Sequence, residues 1–467
     1  MKTQKLTLAL ITLIGIFILS GCDKEDEAPQ PTQNIVQLAQ DQPNLSSLVT
    51  ALTKFPDLVT TLSGTGKFTV FAPTNDAFTA LLATIGQTSI NDVPEPVLKS
   101  LLQYHVVTSG AVLSTELTAG NVVTANTESI AVTTAGGIKF NGSAMVLTAD
   151  VASTNGVVHI IDKVLVPASI AKFVNTVVEP AYFNKNFTTL IAAVTAASPS
   201  ILETLLSSSK KTLFAPTNDA FTAAGITTLP SRATLDAVLT YHVIGSEVKA
   251  SQLPSNNAPA NNPITTLGGV FYLSNRGSNG VFINGKTRVT ATDIMADNGV
   301  VHVINRTLIP PSQTIAQIAI ALSTANPGAE FTQLVAALTR VPALLTAASS
   351  TSSNLTVFAP TDAAFNALYT SLGVTGATID LTLLTKVLQH HIVSSPTTAT
   401  GRVFSSDLVT GSVPTLNGNI TISATAGTVT SGNGTMATIS TNAALVNVLG
   451  SNGVVHTINK VLLPSGK

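Results

Sequence analysis

One cysteine, no tryptophan and few charges set the first limits on this chain. Cys22 is the only cysteine among 467 residues, so no internal disulfide can form and whatever folds must be held by its core alone. Asp, Glu, Lys and Arg make up 10% of the chain and the net charge is -1. No run of Lys or Arg supplies the clustered positive charge that displaces counterions from phosphates, which excludes a nucleic-acid electrostatic footprint. The missing tryptophan and a count of only five tyrosines weaken a carbohydrate-stacking platform. There is no Gly-x-Ser-x-Gly elbow after a strand. Gly136-Gly137, Gly268-Gly269, Asn141-Gly142 and Asn284-Gly285 suit hairpin turns and lack the strand, glycine-loop, helix order of a phosphate cradle. What is present is apolar bulk, 45% of the residues. That is too much for a disordered chain, and the length is too great for a single core.

The N-terminus speaks to compartment. Lys2 and Lys5 precede an apolar run from Leu6 to Leu19, short for a bilayer span but suited to the apolar region of an export signal. Leu19-Ser20-Gly21-Cys22 follows and resembles the bacterial lipobox. That resemblance implies cleavage before Cys22 and attachment of diacylglycerol to its thiol. Residues 1–21 are then a signal peptide and 22–33 the lipidated cysteine with a flexible tether, because Asp23 to Gln33 is polar and carries Pro29 and Pro31. The run Lys24-Glu25-Asp26-Glu27 resembles the lysine-then-acidic signal that sends some lipoproteins to the outer face of the outer membrane; a generic solvated linker is the other reading. The expected location is an outer-membrane lipoprotein on the cell surface, with the periplasmic face as the alternative.

Beyond the tether the chain repeats itself. Phe68-Thr-Val-Phe-Ala-Pro-Thr-Asn-Asp-Ala-Phe78 recurs as Lys211 to Phe221 and as Leu355 to Phe365. Tyr104-His105 recurs as Tyr241-His242 and as His390-His391. Asn155-Gly-Val-Val-His-Ile-Ile-Asp-Lys-Val-Leu-Val-Pro167 recurs as Asn298 to Pro310 and as Asn452 to Pro464. The order never changes, and the Phe-Ala-Pro-Thr blocks at Phe71, Phe214 and Phe358 stand a whole domain apart. Val-Pro and Ile-Pro-Pro end strand patterns where helical patterns begin, which places the three copies at 34–168, 169–311 and 312–467 with joints a few residues long.

Each block has readable geometry. Phe71, Phe214 and Phe358 end short apolar strands that Pro73, Pro216 and Pro360 stop, and Thr74, Thr217 and Thr361 stand where a side-chain oxygen caps the following helix. The acid at Asp76 and Asp219 becomes Ala363, with Asp362 shifted by one, a shift that a capping residue tolerates. Leu98, Leu101, Leu102 and His105 fall on one helical stripe, repeated to His242 and His391. Val157, His159 and Ile161 share one strand face. The residue after the histidine changes from Ile160 to Val303 to Thr457, which marks the opposite face as the wetter one and turns His159, His302 and His456 inward.

All seven histidines lie in these blocks, which tempts a catalytic or metal reading. Set on apolar faces, they read instead as buried rings tying off backbone groups. No pair has helical metal-ligand spacing beside a carboxylate, and no thiolate is to spare, so neither metal nor cofactor is expected.

The three motifs in this order resemble the fasciclin domain family. The resemblance covers the chain from about residue 34 onward. It implies an α+β fold, three tandem fasciclin-like domains, each a β-wedge of about seven strands flanked by several helices, and non-enzymatic adhesion, matrix or protein binding. It also implies ligand contact through the Tyr-His region and through an Asp-Ile pair ahead of the Asn-Gly-Val-Val-His segment. Here these map to Tyr104, His105, Tyr241, His242, Asp293 and Ile294, with Asp150-Val151 in the first copy and Ala444-Leu445 in the third. The same residues also read as braces of the wedge. The expected partner is a protein or polysaccharide surface, with the membrane reached through the lipid. The alternative is a periplasmic carrier or accessory protein holding a small ligand in a cleft.

Overall fold

A computed structural model describes residues 30–253, 262–325, 328–393, 402–442 and 444–466. Cys22, the run before it and the acidic run after it lie outside the described residues. No single helix among the described residues is long and apolar enough to cross a membrane. The described chain forms two compact units: one holds the first copy up to Phe78 together with Leu102–Leu165, the other Thr79–Leu101 with the second and third copies.

The first unit is built on a seven-stranded sheet. Its order is Val106–Val107, Phe68–Pro73, Gly156–Ile161, Ala144–Ser153, Lys139–Phe140, Ser129–Thr133 and Gly120–Val123. Only Phe68–Pro73 and Gly156–Ile161 run parallel, with Phe71 opposite His159. Parallel strands are buried on both faces, and all of Phe68–Pro73 is inside. Alternation sorts the two faces. Phe71 and Ile161 join Ile130, Val132 and Phe140 in the wedge, while Val70, Ala72 and Val158 meet Ile35, Leu48 and Leu62 of the helices. The helix Ile35–Asp41 starts where the Asn34 side chain accepts from the Gln37 N–H and Gln37 returns the bond, a capping box.

The second copy repeats this sheet order with Asn262–Thr266, Gly269–Asn275, Val281–Ile283, Thr287–Ala296, Gly299–Ile304, Lys211–Pro216 and Val243–Ile244. The third breaks it into two four-stranded sheets, with isolated bridges between them at Val393 with Thr415 and at Ile439 with Ile458 among the described residues. The cause is extra chain in the long strand. Arg288 and Thr438 hold the same place, each donating its N–H to an asparagine side chain after the histidine strand, Asn305 and Asn459. The stretch from Thr438 to Asn447 is longer than that from Arg288 to Asp293, and its strand is interrupted.

The far face of the histidine strand is not the wetter one. Ile160 is 6% exposed and Thr457 is 2% exposed, because helices cover that face in every copy; only Val303 is half-buried. The strand-to-helix corner forms as expected, with Thr74, Thr217 and Thr361 accepting from the N–H groups of Ala77, Ala220 and Ala364 at 3.3, 3.2 and 3.1 Å. Asp362, however, is not a displaced Asp76. Asn75 accepts from the Ser47 N–H at 2.8 Å, Asn218 from Thr189 at 2.9 Å and Asp362 from Gln333 at 2.8 Å. The carboxylate occupies the asparagine position and holds the start of a neighbouring helix, where negative charge is favoured.

The second and third copies meet within the second unit. Arg276 Nη2 donates to Asp407 Oδ1 at 2.6 Å, with the aspartate side chain 1% exposed. The Arg402 guanidinium lies 4.7 Å from the centre of the Tyr272 ring, and Asn447 Nδ2 donates to the Gly285 carbonyl at 3.0 Å. Gly285 has φ +68, and a Cβ there would lie 2.4 Å from Phe404 Cβ, so only glycine lets this hairpin seat against the third copy.

Candidate functional site

The Tyr-His blocks end helices. Arg232–Tyr241 buries Leu235, Val238 and Leu239, and that stripe carries Tyr241 and His242 inside. The Tyr241 hydroxyl donates to the Val270 carbonyl at 2.9 Å and accepts from Asn284 Nδ2 at 3.3 Å. Burial pushes the phenol up to about 12. In the first copy Tyr104 donates to Ser129 at 2.8 Å and accepts from Asn141 at 3.1 Å. In the third, His390 stands at this place and its Nδ1–H donates to the Asn417 carbonyl at 2.6 Å.

The histidine beside each of them crosslinks backbone. His242 Nδ1–H donates to the Val238 carbonyl at 2.7 Å, and Nε2 accepts from the Leu308 N–H at 2.9 Å. His391 does the same with Val387 and Leu462, and His105 Nε2 accepts from Leu165 at 2.8 Å. A nitrogen facing a carbonyl must carry hydrogen and one facing an N–H must not, so these partners select the neutral Nδ1–H tautomer. Burial pushes His242 and His391 down to about 4.

The strand histidines use the opposite tautomer. His159, His302 and His456 donate from Nε2 to the carbonyls of Val112, Val248 and Val403 at 2.9, 2.9 and 2.7 Å. Nδ1 accepts from the backbone N–H of Asp150, Asp293 and Asn447 at 3.3, 3.3 and 3.4 Å. Those three residues have φ of +58, +58 and +50, a left-handed conformation that Asp and Asn tolerate. In the first two copies they sit where the long strand shifts register.

This shared hydrogen bond defines the counterpart of Asp293-Ile294 in every copy. In the third it is Asn447-Val448, which corrects the assignment of Ala444-Leu445; the added chain before Asn447 misleads a count along the sequence. Asp150 and Asp293 are exposed. Ile294 is half-buried against the core of its own copy. The Asp293 carboxylate accepts from the Ala250 N–H at 2.8 Å, and that of Asp150 from the Ser114 N–H at 2.6 Å. Burial on its own would raise the Asp150 carboxyl, but the bonds from Ser114 outweigh it and hold the group below its usual range. Asn447 is buried and bonded to Gly285 of the second copy, so the third copy spends its bulge on the joint.

One set of motif residues has a role that the sequence alone does not show. Asn155, Asn298 and Asn452 are buried and do far more than form turns. Asn298 Oδ1 accepts from the Val177 N–H at 2.8 Å while Nδ2 donates to the Leu205 and Ser207 carbonyls, each at 2.8 Å. Asn155 ties Ile35, Leu62 and Gly64 together, and Asn452 ties Ile315, Ala348 and Ser350. The following glycine lies close against the neighbouring strand: a Cβ on Gly299 would fall 1.9 Å from the Lys211 carbonyl oxygen. The only sequence signal was the threefold recurrence of a buried-strand motif that opens on an amide side chain.

Seven buried histidines thus face backbone partners. Among the described residues no group of three or more His, Cys, Asp or Glu side chains is gathered to hold a metal. The space between wedge and helices is about 60 Å3 in the first copy and about 30 Å3 in the third, far below the ~300 Å3 of a small ligand cleft. What is open to solvent at the motif is the acidic bulge of copies one and two.

Compared with protein-family models, the chain matches the fasciclin domain at residues 43–167, 185–310 and 329–464. It is 32% identical over 263 residues to transforming growth factor-beta-induced protein ig-h3 of Sus scrofa, across 55% of this chain and 37% of that one. It is 28% identical over 342 residues to periostin of Homo sapiens, across 71% of this chain and 37% of that one. It is 39% identical over 141 residues to protein sll1483 of Synechocystis, across 30% of this chain and 77% of that one. The chain therefore spans 37% of the length of the two animal relatives.

Proposed function

The chain belongs to the fasciclin domain family, and from that premise we propose that it is a lipid-anchored adhesion protein of the cell surface. Fasciclin domains are found in cell adhesion proteins, which supports adhesion or binding in general. The observation that carries the reading is the use of the motif histidines: all are bonded into backbone inside each copy, and the strand pair His159 and His302 positions on the surface the left-handed acidic bulge at Asp150 and Asp293. Asp293 with the Ile294 backbone meets a protein or polysaccharide partner directly, while Tyr104, His105, Tyr241 and His242 are buried and brace the wedge from inside. The lipid on Cys22 holds the assembly at the outer membrane, a reading supported by Leu19-Ser20-Gly21-Cys22 and the acidic run that follows. A carrier that holds its ligand between wedge and helices is disfavoured by the small volume of that space.

Three measurements test this reading. Protease added to intact cells is expected to remove the protein, and Cys22→Ser to abolish labelling by a fatty-acid analogue; a protein shielded from protease would sink surface display. For the bulge, capture of the natural partner by the soluble chain starting at Ala28 is expected to fall about tenfold in the Asp150→Asn, Asp293→Asn double variant. Asparagine tolerates the left-handed backbone, as Asn447 does, so unchanged capture at unchanged melting temperature would remove the bulge from the contact.

A further inference from the structure

A cleft of about 430 Å3 opens where the second copy passes into the third, floored by the connecting segment at Pro310 and Pro311. We infer that this cleft binds a small organic acid, a carboxylate head carried on an apolar body. Its volume falls in the ~300–1,000 Å3 range of small-molecule sites.

The head group is set by charge. Lys286 and Arg306 both line the cleft, and no Asp or Glu is among the described residues lining it. Burial, and then the charge of Arg306, push the Lys286 ammonium down to about 8. Both side chains are half-buried, and two positive groups lining one cleft draw an anion into it. The Arg306 guanidinium donates from Nη1 to the Ala223 carbonyl, and the remaining edge of its planar fork fits a carboxylate.

A hydroxyl completes the polar end. Thr307 is buried, lines the cleft, and its Oγ1 has no hydrogen-bond partner among the described residues, a costly state that a bound acceptor would end. The fold does not require this residue. Counted along the histidine strand, Thr307 stands where the sister copies carry Val164 and Val461, and in the hairpin after the asparagine Lys286 stands where the first copy has Ser143. Both polar substitutions occur in the copy that carries the cleft. The body of the ligand meets Ile318, Leu322 and Leu449, apolar side chains that a bare inorganic anion would leave uncovered.

The test uses the mature chain carrying Cys22→Ser, titrated calorimetrically with benzoate, benzamide and inorganic phosphate. Benzoate is expected to bind saturably with one site, and benzamide and phosphate at least about tenfold more weakly, a difference of ~1.4 kcal/mol. Lys286→Met with Arg306→Met is expected to abolish benzoate binding. Thr307→Val, which installs the residue both sister copies carry, is expected to weaken it several-fold without lowering the melting temperature. Absence of saturation by ~10 mM benzoate, equal affinity for benzamide or phosphate, or full binding by a folded double variant would each overturn the proposal. Should the double variant not fold, Thr307→Val decides, and unchanged affinity there overturns it.

Discussion

The phenol oxygen of Tyr104 and the amide nitrogen of Asn141 meet at 3.1 Å, and Tyr241 and Asn284 repeat the contact at 3.3 Å. Each asparagine has a positive φ and its Oδ1 accepts a strand N–H, from Ala131 or Tyr272. The tyrosine thus latches a helix end to a hairpin turn. The third copy has lost both partners together: His390 replaces the tyrosine, and its Nδ1–H reaches the Asn417 carbonyl of a different turn.

Tyr241→Phe would strand the Val270 carbonyl and the Asn284 amide. The expected loss is about 1–3 kcal/mol of unfolding free energy. Asn284→Ala should cost a similar amount, and the double variant less than the sum by ~1 kcal/mol. Urea denaturation of the three variants checks the coupling; additive losses would mean that the contact carries no energy.

Acid should unfold the protein by charging its interior. His242, His391 and His456 are pushed down to about 4 by burial, against ~6.5 in an unfolded chain. The unfolded state therefore binds protons first as the pH falls. The stability these groups contribute is complete above pH ~6.5 and is lost between there and about pH 4, up to ~3 kcal/mol for each histidine. Melting temperature measured from pH 7 to 4 should drop through this window, and a flat profile would contradict neutral burial.

Asn298→Ala removes three hydrogen bonds and strips the Val177 N–H and the Leu205 carbonyl of their partner, while the Ser207 carbonyl keeps the Lys211 ammonium. A loss on the order of 3–5 kcal/mol is expected, with faster hydrogen exchange at Val177. Asn298→Asp should be nearly as damaging, since a carboxylate cannot donate to Leu205 and Ser207.

Asp407→Ala would strand Arg276 in the joint between the second and third copies. A loss of about 3–5 kcal/mol is expected, and calorimetry should then resolve separate transitions for the two copies where the parent melts them together. A single unchanged transition would mean that the ion pair does not couple them.

The inward face of His159 is legible because a strand alternates, so Val157 and Ile161 announce where the ring points. The threonine cap is legible because its hydroxyl and its target N–H lie in one short segment. Asn155 is different: before a glycine it carries every mark of a turn former, and its partners Ile35, Leu62 and Gly64 are distant in sequence. The third copy's bulge is illegible for a related reason, since spacing along the chain fails where residues are added and only the bond from Asn447 to His456 identifies the position. The joint left no signal, because Tyr272 and Phe404 look like any other core aromatics until two copies are brought together.

The histidine strand lies inside its sheet in every copy although it comes almost last in the chain of that copy, with Gly156–Ile161 inserted between Phe68–Pro73 and Ala144–Ser153. During vectorial synthesis neither neighbour has its partner until that strand emerges, and the asparagine that fastens the opening helices emerges just before it. Each copy must therefore remain without its central ladder until its own last segment is made, and such long-range pairing is slow to form. A nascent chain of this design stays unfolded longest at the point where threading through an export channel demands it.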